Sequence, residues 1–167
     1  IGNNFQVQSL SNCFVIDAPY DSYGGICKTD QEQVQIMKRR GGVGFDISNI
    51  RPIGMPTANA ARTSTGLAGF MDRYSNSTEE VAQGGRRGAL MLTISVHHPE
   101  ILTFATIKSD KDAKRVSGAN ISIRVSDEFM QAVKDDTETT LRFPVDKSKP
   151  ALVEKKVRAR EIWDEIV

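Results

Sequence analysis

The segment from residue 81 to residue 90, Val-Ala-Gln-Gly-Gly-Arg-Arg-Gly-Ala-Leu, has a composition suited to binding another molecule. Its three glycines allow positive φ angles and close approach to a ligand, and Arg86 and Arg87 supply planar, permanently charged donors. These properties suit a site for an anionic or planar group. An ordinary connector with solvated arginines has the same composition, so both interpretations stay open for this segment alone.

A second glycine-rich segment, residues 40–54, also contains arginine and is followed by Thr63-Ser-Thr-Gly66. Two such segments, each next to a helical pattern, favour a site for a nucleotide or a phosphate group. The familiar phosphate-binding patterns are missing from the sequence, because no GxxxxGKS or GxxxxGKT occurs and no GxGxxG follows a strand pattern. A nucleotide site here must therefore be of another kind.

The composition predicts one globular domain, or part of one, that binds neither nucleic acid nor a membrane. The 167 residues are 39% hydrophobic, which is enough for one core. Lys and Arg (22) nearly balance Asp and Glu (21), so any anion must be met by local arginines. Without a long apolar run or a signal peptide, a cytoplasmic protein is expected.

The first residue is not Met and the last ten residues form an amphipathic pattern, so we expect a fragment.

The cysteines and histidines predict neither a disulfide framework nor a metal site. Cys13 and Cys27 are too few for a framework, and their spacing resembles neither CxxC nor a zinc ligand set. His97 and His98 are adjacent and cannot share one helical face. Without further context, Cys13 is expected to be a small buried hydrophobe, the commonest role of a free cysteine.

Alternating apolar residues and short apolar runs predict strands, and apolar residues at helical spacing predict helices between them. A capping-box pattern at Thr29-Asp-Gln-Glu32 marks the start of the first helix. The interleaved order favours an α/β fold with a mainly parallel sheet or barrel, and the long loop at 49–63 is of a kind that is usually functional. The predicted strands are 9–16, 43–48, 90–96 and 119–125, and the predicted helices are 29–40, 66–82, 126–133, one from Pro99 and one after residue 157.

An ordered set of short motifs resembles the catalytic subunit of ribonucleotide reductase. The sequences of Arg86-Arg-Gly-Ala-Leu-Met91 and of the segment 118–127 most resemble those of the adenosylcobalamin-dependent (class II) branch of that family. The motifs run in the family's order from residue 9 to the end: Ser11-Asn-Cys13, Asp21-Ser22, Gly41-Gly-Val-Gly44, Ile50-Arg-Pro-Ile-Gly54, Ser64-Thr-Gly66, Gln83-Gly-Gly-Arg-Arg-Gly-Ala89, His98-Pro-Glu-Ile101 and Ala119-Asn-Ile-Ser-Ile123.

The resemblance implies a ten-stranded α/β barrel built from two antiparallel five-stranded halves. Residues 1–167 would be a fragment of that single catalytic domain, with its first strands and, at about 20–90, its allosteric specificity region. The helices at 29–40 and 66–82 match those that join two subunits in dimeric members, so a homodimer through them is expected. The apolar stripe of the second helix fits a core or such an interface equally well.

The resemblance also implies an activity, the radical-based reduction of ribonucleotides to deoxyribonucleotides for DNA synthesis. Cys13 matches one of two redox-active thiols, which gives a proton to the departing 2′ hydroxyl and ends in a disulfide with a cysteine from a later strand. Asn12, Gln83, Arg87 and Gly88 match substrate-binding positions. The implied cofactor is adenosylcobalamin, bound mainly outside this fragment, and the implied reductant is a thiol protein such as thioredoxin. Cys27 matches no family position.

A second site, for a deoxynucleoside triphosphate or ATP effector, is implied by the same resemblance. Asp21 and Ser22 would contact the effector sugar and Arg51 its phosphates. Residues 49–62 would form the first specificity loop and residues 82–90 the second, which lies between effector and substrate. Where some relatives have a second phosphate-binding arginine, this sequence has Ala58, and Arg62 is the candidate substitute.

Two other functions remain as alternatives. One is a nucleotide-sensing module without chemistry, and the other is a class I large subunit that takes its radical from a metal-containing small subunit. The family's radical-bearing cysteine, second redox cysteine and acidic residue have no counterpart in these residues, so the fragment alone is expected to be inactive. Whether the substrates are diphosphates or triphosphates, and which effector selects which substrate, stay open.

Overall fold

The computed structural model describes residues 11–81, 88–109 and 115–167, in which strands and helices alternate. This confirms the α/β class predicted from the interleaved apolar patterns. The elements are β1 (Cys13–Val15), α1 (Tyr23–Met37), β2 (Gly42–Asp46), α2 (Leu67–Glu80), β3 (Leu90–Ser95), α3 (Ile101–Thr106), β4 (Ala119–Arg124), α4 (Asp127–Lys134), β5 (Glu138–Phe143), β6 (Val153–Arg158) and α5 (Ala159–Ile166).

Strands β1 to β4 form one parallel sheet in chain order, β1-β2-β3-β4. Each parallel connection needs a crossover, and α1, α2 and α3 lie in the three crossovers. The mainly parallel sheet was predicted, whereas the separate antiparallel hairpin of β5 and β6 was not. The β6 sequence, Val-Glu-Lys-Lys-Val-Arg, has two apolar residues four positions apart and so lacks the alternation that identifies a strand.

The two faces of the sheet have different surroundings because successive side chains on a strand point to opposite sides. Val43 and Phe45 of β2 and Leu92 of β3 are buried on the face covered by the helices. The opposite face is open in the described residues, and there Val15 is 91% exposed and Met91 39% exposed. The expectation that residues 9–16 form a buried strand is therefore wrong for β1, which is an edge strand of this sheet.

Helix α1 begins six residues before its predicted start and ends at Met37, so the predicted span of 29–40 is wrong at both ends. Its cap is Ser22, whose Oγ accepts a hydrogen bond from the Gly25 N–H at 3.0 Å. Thr29, the expected cap, is buried within the helix. Arg40, with φ of 69°, turns the chain away after the helix.

Helix α2 lies at Leu67–Glu80, close to the predicted 66–82. Its stripe residues Leu67, Met71 and Tyr74 are fully buried, so within the described chain the stripe faces the core. The Tyr74 ring meets Phe45 of the sheet edge to face, with ring centroids 4.9 Å apart.

His98, at the turn between β3 and α3, is fully buried and fixed by two hydrogen bonds. Its Nδ1 accepts from the Glu100 N–H at 3.1 Å, so the ring proton lies on Nε2, which donates to the Ile50 carbonyl at 3.0 Å. Burial lowers the pKa of His98 from 6.5 to about 4. The imidazole is therefore neutral at physiological pH and ties the chain after β2 to the chain after β3.

A pair of substitutions in β3 tests the two-faced sheet. Leu92→Ala should lower the free energy of unfolding by about 2–5 kcal/mol, because it leaves a cavity in the core. Met91→Ala, on the open face of the same strand, should cost less than about 1 kcal/mol. Denaturant unfolding of both variants measures the difference, and equal losses would show that the two faces are not distinguished as described.

A second prediction concerns acid and His98. Between pH 6.5 and 4 the unfolded chain binds a proton at this residue and the folded chain does not, so the free energy of unfolding should fall as pH is lowered. The His98 contribution at pH 4 is roughly 3 kcal/mol. Unfolding of wild type and His98→Gln at pH 7, 5.5 and 4.5 measures it, and the variant should lose less stability. A parallel decline in both proteins would contradict the assignment.

Candidate active site and nucleotide pocket

Cys13 lies on the open face of the sheet beside two glycines, which have no side chains to cover the thiol. It pairs with Gly42 of β2, and Gly44 follows two residues later on the same face. Together with Met91 and Asn120, these residues line a shallow depression of about 330 Å³. Cys13 is exposed, so the expectation that it is a small buried hydrophobe is wrong. A molecule lying over the two glycines could reach the thiol directly.

The other residues expected to meet the substrate are only partly described. Asn12 is exposed, and its backbone carbonyl accepts from the Gly42 N–H at 2.7 Å, which fixes the chain just before the thiol. Gly88 lies close to the C-terminal ends of α1 and α2, where an added Cβ would come within 2.9 Å of Met37 Sδ and 3.0 Å of the Thr78 carbonyl oxygen. Gln83 and Arg87 lie outside the described residues.

A pocket of about 250 Å³ lies between the start of α1 and the loop at 50–66. It brings together Asp21, Ser22 and Arg51, three of the expected effector contacts, although Arg51 is 30 positions from Asp21 in sequence. The remaining lining residues are Tyr23, Ile26, Ile50, Thr57, Ala58, Asn59, Thr63, Ser64, Thr65 and Phe70. Apolar side chains and a few convergent polar groups are typical of a small-molecule site.

Arg51 is held in place by three hydrogen bonds. Its Nε donates to Asp21 Oδ2 at 2.8 Å, its backbone N–H donates to Asp21 Oδ1 at 3.1 Å, and its Nη1 donates to the Pro56 carbonyl. The guanidinium is therefore oriented before a ligand binds, and Asp21 partly offsets its charge. Ser22 Oγ accepts a hydrogen bond as the α1 cap, which leaves its hydroxyl proton free to be donated.

Arg62 is placed differently from the other effector candidates. It is exposed, has φ of 57° and lies at a turn, where its N–H donates to the Asn59 carbonyl at 3.0 Å. Among the described residues, Ala58 lines the pocket, whereas Arg62 does not. The geometry therefore gives no direct support to Arg62 as the substitute for the missing arginine.

The 50–66 loop is an ordered hairpin rather than a structureless connector. Gly54 N donates to Ser64 O at 2.9 Å, Ser64 N donates to Met55 O at 2.8 Å, and Pro56 forms a bridge with Thr63. Sequence reasoning missed this pairing because prolines and a glycine interrupt the alternating pattern of a strand.

Glu100 closes this loop, and its role was not predicted. Its Oε2 accepts from the Ile53 N–H and from the Leu67 N–H, both at 3.1 Å. Burial raises the pKa of the Glu100 carboxyl, while the two backbone donors act in the opposite direction. The sequence contains the His98-Pro-Glu100 motif, which contributed to the family resemblance but did not indicate that the Glu100 side chain binds this loop.

Helices α1 and α2 share a polar network that is buried except at Arg73. Gln33 donates to Asp30 Oδ1 and to the Tyr74 carbonyl, both at 3.1 Å, and Arg73 Nε donates to Asp30 Oδ2 at 2.9 Å. The Tyr74 hydroxyl donates to the Ile26 carbonyl at 3.2 Å, and burial raises its pKa. The network fixes the two helices to each other through directional bonds.

Neither a metal cluster nor a membrane helix is found in the parts of the chain that the structure describes. No three His, Cys, Asp or Glu side chains of residues 11–81, 88–109 and 115–167 are grouped to hold a metal ion. In the same ranges no helix has the length and apolar character needed to cross a bilayer.

Three relatives show what the chain is similar to. The vitamin B12-dependent ribonucleoside-diphosphate reductase of Thermoplasma acidophilum is 35% identical over 159 residues, which cover 95% of this chain and 20% of the relative. The protein of the same name from Mycobacterium tuberculosis is 33% identical, with 75% of this chain and 18% of the relative covered. The ribonucleoside-diphosphate reductase large subunit of monkeypox virus is 32% identical, with 81% and 18% covered.

The chain spans about a fifth of the length of these curated relatives. The family model described as ribonucleotide reductase, barrel domain, matches residues 11–167. This match covers nearly the whole sequence and includes the sheet, the exposed thiol and the pocket at Arg51. The chain therefore belongs to the ribonucleotide reductase family, as part of its barrel domain.

Proposed function

We propose that this chain forms part of a catalytic subunit that reduces ribonucleotides to deoxyribonucleotides, with Cys13 as one of its two redox thiols. The observation that carries the proposal is the exposure of Cys13 beside Gly42 and Gly44 in a chain of this family. A sugar ring needs both an accessible sulfur and space next to it. The complete domain would be the ten-stranded barrel, with β1 to β4 as four of its strands.

The proposed reaction balances with two thiols. The ribose 2′ C–O bond breaks, the hydroxyl leaves as water with a proton from Cys13, and hydrogen replaces it at the carbon. The two electrons come from Cys13 and a second cysteine elsewhere in the polypeptide, which end as a disulfide. A thiol protein of the thioredoxin type would then reduce that disulfide. The chemistry is that of an oxidoreductase in deoxyribonucleotide synthesis.

We assign the enzyme to the adenosylcobalamin-dependent branch and its substrates to the diphosphates. The names of the Thermoplasma and Mycobacterium relatives support both assignments, and the viral relative supports only the second. The cofactor would supply the radical when bound. We assign none of the described residues to cofactor binding, because the open face beside Gly42 is the proposed substrate site. A class I large subunit is the second candidate. Activity that follows an added metal-containing subunit rather than added adenosylcobalamin would favour it.

The pocket at Arg51 is the proposed site for a deoxynucleoside triphosphate or ATP effector. The oriented guanidinium suits a phosphate, and Asp21 Oδ and the Ser22 hydroxyl suit sugar hydroxyl groups. Helix α1 starts at this pocket and ends at Met37, which lies so close to Gly88 of the second loop that a Cβ there would come within 2.9 Å of Met37 Sδ. An effector that changes the position of α1 would thus change where that loop meets the substrate.

The same two helices are the proposed dimer interface. Tyr23 of α1 is 59% exposed and meets the half-buried Phe70 of α2 edge to face, with ring centroids 5.9 Å apart, so an aromatic pair joins the two helices at the edge of the pocket and Tyr23 remains on the surface. Such a surface suits a second copy of the chain. Light scattering that gives a monomer with and without effector would remove the dimer from the proposal.

Substitution of Cys13 tests the redox assignment. In the complete polypeptide, Cys13→Ser should lower reductase turnover by at least about 1000-fold, because a hydroxyl cannot form the disulfide that supplies the electrons. Effector affinity, measured by equilibrium binding of a deoxynucleoside triphosphate, should stay within about twofold of wild type. Cys27→Ser, at the other exposed cysteine, is the matched control and should keep full turnover.

Turnover of Cys13→Ser at the wild-type rate would exclude Cys13 as the reducing thiol. The sensing-module alternative gives a different result, since wild type would then bind the effector and show no reductase activity in the presence of adenosylcobalamin or a small subunit.

A further inference from the structure

Glu100 lies outside the pocket and binds both ends of the loop that lines it. Glu100 is 7% exposed, and one carboxylate oxygen, Oε2, accepts hydrogen bonds from the N–H groups of Ile53 and Leu67, each at 3.1 Å. Residues 54–66 run between these two contacts. A single buried oxygen therefore holds the two ends of the loop together.

Gly66 makes this arrangement sterically possible. A Cβ at this position would lie 2.6 Å from Glu100 Oε1 and 2.9 Å from Oε2, closer than a carbon and an oxygen can approach. The residue also has φ of +79°, a conformation that favours glycine. The backbone before α2 is thus shaped to admit the carboxylate.

The carboxylate is itself held by a rigid part of the fold. The Glu100 N–H donates to His98 Nδ1, and His98 Nε2 donates to the Ile50 carbonyl, one residue before Arg51. The turn between β3 and α3 therefore fixes the loop at three points, which are Ile50, Ile53 and Leu67. Most of the loop residues that line the pocket, among them Arg51, Thr57 and Ser64, lie between the first and last of these points.

We propose that Glu100 is a positioning residue for the nucleotide pocket, in which its Oε2 sets the distance between Ile53 and Leu67 and so the placement of the loop segment between them, which carries the pocket residue Ser64 and the Pro56 carbonyl that binds Arg51. The inference rests on the proposed effector function of that pocket. Glu100 does not line the pocket, so it acts on a bound nucleotide only through the loop. Loss of the carboxylate leaves two backbone donors without their acceptor, which favours a different arrangement of the loop.

The test uses the complete polypeptide with three substitutions. Glu100→Ala should weaken deoxynucleoside triphosphate binding by about 10-fold or more, because both hydrogen bonds are lost. Glu100→Gln keeps an oxygen that can accept from both N–H groups, so it should recover most of the affinity. Glu165→Ala removes an exposed carboxylate on α5 and should bind like wild type. Hydrogen exchange at the Ile53 and Leu67 amides should accelerate in Glu100→Ala and much less in Glu100→Gln.

Leu92→Ala separates positioning from a general loss of stability. It removes a core side chain away from the pocket, so it should lower the unfolding midpoint and leave nucleotide affinity unchanged. Wild-type affinity in Glu100→Ala, or equal weakening in Glu100→Ala and Leu92→Ala, would overturn the inference while the effector site itself stands. Wild-type protein that binds no deoxynucleoside triphosphate would instead overturn the effector site, and with it the positioning role.

Discussion

The parallel pairing of β1 with β2 is the interaction that places the thiol, and the rest of the site depends on it. The Gly42 N–H donates to Asn12 O at 2.7 Å and the Ile16 N–H donates to Gly44 O at 3.1 Å, which sets Cys13 opposite Gly42. A shift by one residue would turn the thiol to the helix-covered face, since side chains alternate along a strand. The register thus decides whether the sulfur meets open space or core.

A second constraint links the pocket to that sheet. The loop that carries Arg51 follows β2, and His98 and Glu100, which follow β3, hold it by backbone contacts at Ile50, Ile53 and Leu67. Helix α1 leads from the pocket to Met37, beside Gly88, just before β3 begins. The thiol face and the pocket therefore share β2 and its connections to β1 and β3, which gives a physical route for coupling between them.

The sequence predicted the elements whose side chains carry a periodic signal. Strand β3 and helix α2 were placed within a few residues because Leu90, Leu92, Leu67 and Met71 follow the periods of two and 3.6. The start of α1 was missed because glycines in its first turn are typical of a loop, and strand β6 of the hairpin is polar and has no clear alternation. Asp21 and Arg51 came from resemblance, since no local pattern shows that they meet. Glu100 was missed because its partners are backbone amides, which are the same for every sequence.

The most direct measurement of the central claim is the redox state of Cys13 after a single turnover. The complete polypeptide, fully reduced and separated from external reductant, is mixed with ribonucleotide and its radical source, and free thiols are then alkylated and identified by mass spectrometry. Cys13 should become protected from alkylation in a disulfide, in proportion to the deoxyribonucleotide formed, while Cys27 stays fully alkylated. Product formation with Cys13 still fully alkylated would contradict the account.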